Sequence, residues 1–146
     1  MTDKIITYEG RAAHVSVGAI LVNEKGQVLM MDRAKFPFGW ACPAGHMDEE
    51  DESPALAVKR EVNEESGINI SKYPVFEVFS EYVEWNMCDR KFPGHYWHVF
   101  LVQVKGDEYV PAKSEVKEMK WVPRDEIGKL NLEKVWKHWF EKLKWI

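Results

Sequence analysis

Between Gly45 and Ile68 the chain reads GHMDEEDESPALAVKREVNEESGI, an acidic loop running into a helix whose two ends are both encoded locally. Ser53 is a strong N-cap, and Pro54 at the first helical position gives up no hydrogen bond by lacking an N–H. Ala55, Leu56, Ala57, Val58 and Val62 supply helix formers and an apolar stripe, and Gly67 is placed to close the helix as a left-handed cap. Within it Glu61, Glu64 and Glu65 stand at i, i+3 and i+4, so three carboxylates share one surface strip. Like charges at that spacing cost a few tenths of a kcal/mol per pair, and the C-terminal half of a helix disfavours negative charge. A divalent cation among the carboxylates removes the conflict, because hard cations such as Mg²⁺ take oxygen ligands. A merely solvated acidic face is the competing explanation, and it leaves the repulsion without a reason.

The run Arg60-Glu61-Val62-Asn63-Glu64-Glu65-Ser66-Gly67-Ile68 resembles the second half of the Nudix box, the signature of hydrolases of nucleoside diphosphates linked to another group. Glu52 falls eight residues before Arg60, as that pattern expects. Six residues separate Gly45 from Glu52 where the usual motif has five, so the loop carries one extra residue. Placing Asp51 in the first acidic position instead puts the Arg-Glu pair out of register. The resemblance implies an α/β fold of the α+β kind, a Nudix-type α/β/α sandwich with a mixed β-sheet. It implies Mg²⁺, with Mn²⁺ as a substitute, held by Glu61, Glu64 and Glu65, with the Ala44 carbonyl and Glu115 as further ligands. Glu118 competes with Glu115 for the last place. Gly45, Glu52 and Gly67 are expected to support the site, and Glu61, Glu64 and Arg60 to act in catalysis, Arg60 by orienting a carboxylate.

Composition narrows the rest. A chain of 146 residues is long enough for one domain, 1–146, with a substantial core. Net charge is 20 − 24 = −4, which offers no general attraction for duplex nucleic acid or an anionic membrane. A phosphate substrate must therefore be held by local cations and metal. Cys42 and Cys88 make neither a CxxC pair nor a disulfide framework. No stretch has transmembrane length and none reads as a signal peptide, so the expected setting is cytoplasmic and reducing.

Before the motif, Ala12–Val22 alternates as a strand, Asn23-Glu24-Lys25-Gly26 turns it, and Val28–Met31 returns. His14 reads as an ordinary half-buried histidine. The loop Ala34–Ala44, AKFPFGWACPA, has aromatic surface that either plugs the end of a sheet or stacks on a flat group. Phe38 and Trp40 are candidates for the second role, and Arg33 and Lys35 for phosphate oxygens. After the motif, Pro74–Trp85 and His95–Val104 read as long strands joined by a loop whose Arg90 and Lys91 are solvated. Lys105–Met119 reads as a loop, Lys120–Val122 as a short strand and Arg124–Leu130 as a short helix. Leu132–Ile146 repeats Leu132, Val135, Trp136, Trp139, Phe140 and Leu143 at helical spacing, a stripe for the core or for a dimer contact.

Together these readings predict metal-assisted hydrolysis of a phosphoanhydride by a monomer or homodimer acting on a small nucleotide. A nucleoside triphosphate, handled as in MutT-like enzymes, is the first expectation. A dinucleoside polyphosphate, or a non-catalytic nucleotide-binding module, is the alternative.

Overall fold

The computed structural model describes residues 2–86, 92 and 94–146; Cys88, Arg90 and Lys91 lie outside the described residues. The alternation in Arg11–Val22 (β2, after the short strand β1, Ile5–Tyr8) builds the centre of a mixed sheet. Gln27–Arg33 forms β3, Trp40–Ala41 β4 and Ala44–His46 β5. Phe76–Val83 forms β6, His95–Gln103 β7 and Val116–Pro123 β8. The order is β4-β3-β2-β7-β6, with β1 and β5 on β2 and β8 on β3. β7 runs parallel to β2 from His14↔His95 to Val22↔Gln103, and the other pairings are antiparallel.

Two helices cover the sheet. Pro54–Ser66 (α1) sets Ala57, Val58 and Val62 on Val15, Val17, Ala19 and Leu21. Lys134–Lys142 (α2) sets Trp136, Trp139 and Phe140 on the opposite face, with Ile20, Trp97 and Val99. The odd and even residues of β2 thus feed two separate apolar clusters, as the period of a strand requires. The result is the mixed-sheet α/β/α sandwich that the sequence predicts.

Several expectations shift. The lead-in before residue 11 contributes β1, which pairs Ile5 with His14 and Tyr8 with Arg11. The loop 34–44 contains β4 and opens β5. β8 starts at Val116 rather than Lys120, because Val116–Met119 finds backbone partners along Met31–Arg33. α2 is shorter than its apolar stripe, ending at Lys142, and Arg124–Lys129 is a 3₁₀ turn. The stripe itself is core, since Val135, Trp136, Trp139 and Phe140 are all buried within the chain.

One feature of this sheet makes the site. β2 and β3 are paired only at Val22↔Val28, and β2 then takes β5 as its partner through Ser16↔His46, Val17↔Gly45 and Gly18↔Ala44. The two strands splay from their shared turn, and a cleft opens between β5 and β3.

Candidate active site

The helix that fills one wall of this cleft folds as its sequence dictates. The Ser53 hydroxyl accepts from the Leu56 N–H at 3.1 Å, and Pro54 occupies the first turn. Gly67 adopts φ 71° and its N–H donates to the Asn63 carbonyl at 2.9 Å. Those two caps fix the register that turns Glu61, Glu64 and Glu65 toward β5. A Cβ at Gly45 would overlap the Glu61 carboxyl group, so a side chain there would displace that carboxylate.

The cleft has a volume of about 360 Å³, and Glu61, Glu64, Glu65 and Glu115 all border it. Glu65 is buried, and its Oε1 accepts from the Ala44 N–H at 2.7 Å. Pro43 and Met47 spend their backbone groups on β2, so by the alternation of an antiparallel ladder the Ala44 carbonyl also faces away from β2, toward α1. Burial raises the Glu65 carboxyl well above the usual glutamate range, and the neighbouring Glu61 pushes the same way. Glu61 is raised to about 7, chiefly by burial; Arg60 opposes the shift and Glu64 adds to it.

Arg60 gathers the acids. Its guanidinium donates to Asp51 Oδ2 at 2.9 Å, to Glu61 Oε1 at 2.9 Å, and to Glu64 and the His46 carbonyl at 3.3 Å. Asp48 adds an ion pair at 3.3 Å. Hydrogen bonding to Asp51 and the surrounding carboxylates raise the already high Arg60 pKa, so its charge is permanent. For Asp51, burial alone pushes upward, but the Arg60 hydrogen bond and the Asp48 N–H bring it below its ordinary value.

Of the two adjacent acids, Asp51 and not Glu52 reaches Arg60. The Glu52 side chain is exposed and makes no hydrogen bond or ion pair among the described residues, whereas Asp51 holds both Arg60 and the Asp48 N–H. A turn with Asp51 N–H donating to the Asp48 carbonyl aims Asp51, rather than its neighbour, at the guanidinium.

The remaining candidates divide. Glu115 reaches the cleft and pairs with Lys35 Nζ at 3.0 Å, while Glu118 lies along β8 opposite Asp32. Lys35 is thereby tied to Glu115 and does not line the cleft. Arg33 does line it, donating to the Pro37 carbonyl at 2.6 Å and lying 3.5 Å from Glu133. Phe38 and Trp40, expected at the substrate, lie outside: Phe38 is exposed under Lys117, and Trp40 sits under Lys120. The loop turns at Gly39 before β4 begins, which carries these rings away and leaves Phe36 and Pro37 at the opening.

Apart from Trp97, whose place near the start of its strand leaves it facing either a substrate or the helix, the far wall is not legible in the sequence. Glu133, Trp97, Trp136, Ser16 and Asn86 border the cleft, and the Trp97 Nε1–H donates to Asn86 Oδ1 at 2.8 Å. Glu133 is buried and raised to about 7 by desolvation, with Arg33 partly offsetting this. The only sign of it in the sequence is an acid just ahead of an apolar helix, which normally means no more than a favourable charge at a helix start.

The donor set suits a hard divalent cation. Glu61, Glu64, Glu65 and Glu115 bring carboxylate oxygens to one cleft, with Glu65 buried and Glu61 half-buried.

Fold and site together define an α/β/α-sandwich hydrolase with a carboxylate centre of the kind that takes a divalent cation. Residues 12–145 match the family model of the NUDIX domain, and the chain belongs to the Nudix family, whose hydrolases act on phosphoanhydride bonds and generally use divalent metals. It is 29% identical over 134 residues to Nudix hydrolase 25 of Arabidopsis thaliana, covering 77% of this chain and 73% of that protein. A shorter stretch of 71 residues is 42% identical to the 8-oxo-dGDP phosphatase NUDT18 of Danio rerio, covering 47% of this chain and only 22% of that protein. In fold it is similar to the NUDIX domain of Shewanella oneidensis NrtR, solved with ADP ribose, at a TM-score of 0.77 and 19% identity over 92% of this chain and 88% of that one. No helix among the described residues is long and apolar enough to cross a membrane.

Proposed function

We propose that this chain is a single-domain, Mg²⁺-dependent pyrophosphohydrolase acting on a nucleoside triphosphate. The observation that carries the reading is the convergence of Glu61, Glu64, Glu65 and Glu115 on one wall of a cleft whose other wall offers aromatic and hydrogen-bonding groups. Glu61, Glu64 and Glu65 are the residues that would hold the metal, joined by the Ala44 carbonyl and by Glu115. When bound, Mg²⁺ supplies charge neutralisation of the polyphosphate and a lower pKa for the attacking water.

The chain's own groups do the rest. Arg60 holds Glu61 and Glu64 in place through its fork of donors, and Asp51 anchors that fork from the loop. Glu61, held by Arg60 at the edge of the cleft, is placed to accept the proton released by water. Arg33, fixed by the Pro37 carbonyl, presents a guanidinium at the cleft for phosphate oxygens. A flat base would meet ring surface from Trp97 on the far wall and Phe36 at the opening, with Glu133 and Asn86 as polar groups. The partial likeness to an enzyme named for 8-oxo-dGDP supports a purine nucleotide.

The test is a panel of nucleoside di- and triphosphates, dinucleoside polyphosphates and sugar nucleotides, incubated with Mg²⁺ and followed by product analysis. The expected result is pyrophosphate and a nucleoside monophosphate from a triphosphate. Preferential cleavage of a dinucleoside polyphosphate would replace the substrate assignment. Magnesium binding with no turnover on any compound would replace the catalytic one.

A further inference from the structure

Beside the carboxylate wall, on the face of β2 that α2 covers, lies a second cluster with different chemistry. His14 on β2, His46 on β5 and His95 on β7 each bring one ring nitrogen within 4.8 Å of the other two. The sheet register puts them there: His14 pairs directly with His95, and His46 pairs with Ser16, one step along the same face. His14 and His95 are buried, and His46 and His95 border the cleft.

The Nδ1 atoms of two of the rings are engaged on the outer side of the cluster. His95 Nδ1 lies 2.7 Å from the Asn86 carbonyl, an acceptor only, so Nδ1 carries the proton. His46 Nδ1 lies 3.0 Å from Asp3 Oδ2, and an ionised carboxylate likewise takes its proton. The Nε2 atoms of these two rings face each other 3.1 Å apart. Two nitrogens on one tetrahedral zinc, each at about 2.0–2.1 Å, sit roughly 3.3 Å apart. Metal-bound histidines characteristically donate their other N–H to a carboxylate or a backbone carbonyl, the two partners found at His46 and His95. Asp3 Oδ2 also lies 3.9 Å from His14 Nε2, so one carboxylate serves two of the three rings.

We infer that His14, His46 and His95 form a binding site for a zinc-class transition-metal ion, separate in position and ligand type from the carboxylate centre. Imidazole nitrogens favour zinc and its neighbours in the first transition row, whereas a carboxylate set favours Mg²⁺ or Mn²⁺. The two sites are joined by β5, which turns Gly45 toward Glu61 and His46 toward the other two histidines. Such an ion ties the N-terminal segment carrying Asp3 to three strands.

Zinc titration of the chelator-stripped chain tests this. One equivalent is expected to bind tightly and to remain bound in the Glu64→Gln/Glu65→Gln double variant, which removes the carboxylate centre but not the rings. His14→Gln or His95→Gln is expected to weaken zinc affinity at least about tenfold, with thermal melts checking that each variant folds. Zinc-edge X-ray absorption on the unmutated chain gives an answer independent of any variant, and is expected to show scattering from several imidazole rings. The inference is overturned if zinc is lost only in the double glutamine variant, or if absorption shows oxygen ligands alone. It is also overturned if the unmutated chain retains no zinc, in which case a shared proton joins the rings. Turnover on the nucleotide panel is read separately, so failure of this site leaves the assignment of the carboxylate centre standing.

Discussion

The two helices of this molecule are built in opposite ways. α1 is written by local signals: a hydroxyl N-cap, a proline in the first turn and a left-handed glycine at its end. It then places three glutamates where a helix would do better without them. α2 has no side-chain cap bond at its N-terminus, and its place is set by Trp136, Trp139 and Phe140, all buried. The stability of α2 therefore resides in its packing, while α1 gives up stability at the cleft. The difference shows how to tell function from scaffold: the element carrying an electrostatic cost that its own Arg60 only partly relieves is the one with a ligand to meet.

The contrast is open to direct attack. Glu64→Gln and Glu65→Gln keep side-chain shape and remove charge, so Mg²⁺-dependent turnover should fall by at least about a hundredfold. In chelator, the same variants should unfold in urea at the parental concentration or above it, because like-charge repulsion has been removed. Parental turnover in both would end the assignment. Trp136→Ala should do the reverse in kind, costing about 3–5 kcal/mol in urea unfolding because a wholly buried indole leaves a cavity. A loss below about 1 kcal/mol would mean that α2 is not held by that ring.

Glu133, at the start of α2 and on the cleft, falls between these cases. Its carboxyl is raised from an ordinary 4.5 to about 7, so the folded chain binds this proton more tightly than the unfolded chain. Its contribution to stability is full below about pH 4.5 and is lost as pH rises toward 7, by up to about 3 kcal/mol. Glu133→Gln cannot ionise, so the difference in unfolding free energy between variant and parent, measured in chelator, should grow in favour of the variant across that window. A difference independent of pH would show that the buried carboxyl is not the source. Smallest of all, Ser53→Ala should cost about 1 kcal/mol in thermal or urea unfolding, since one helix N–H loses its acceptor while the cleft is untouched. No loss would show that the α1 start is set by packing alone.

How much could be read beforehand follows the same division. The span of α1, its caps and its acidic strip were legible because each depends on neighbours within a turn of helix. So were the two long strands around the cleft, where a period of two marks the buried face. Three features depended on partners far along the chain. β8 begins early because Val116 meets Arg33 across the sheet. Asp51 rather than Glu52 meets Arg60 because a loop turn, closed between Asp48 and Asp51, decides which of two adjacent acids points inward. Phe36 rather than Phe38 or Trp40 reaches the cleft because the chain turns before β4.

The acidic helix, its register and the family to which the chain belongs could be read from residue order, since these are matters of spacing along one local element. Only the tertiary structure decided what faces those glutamates. The splay of β2 from β3 opens the cleft, α2 brings Glu133 and Trp136 to its far wall, and parallel pairing of β2 with β7 sets His14 beside His95. Contacts of that kind join residues far apart in the chain, and no periodicity records them, because the strand pairing that creates them is chosen by burial of the whole sheet.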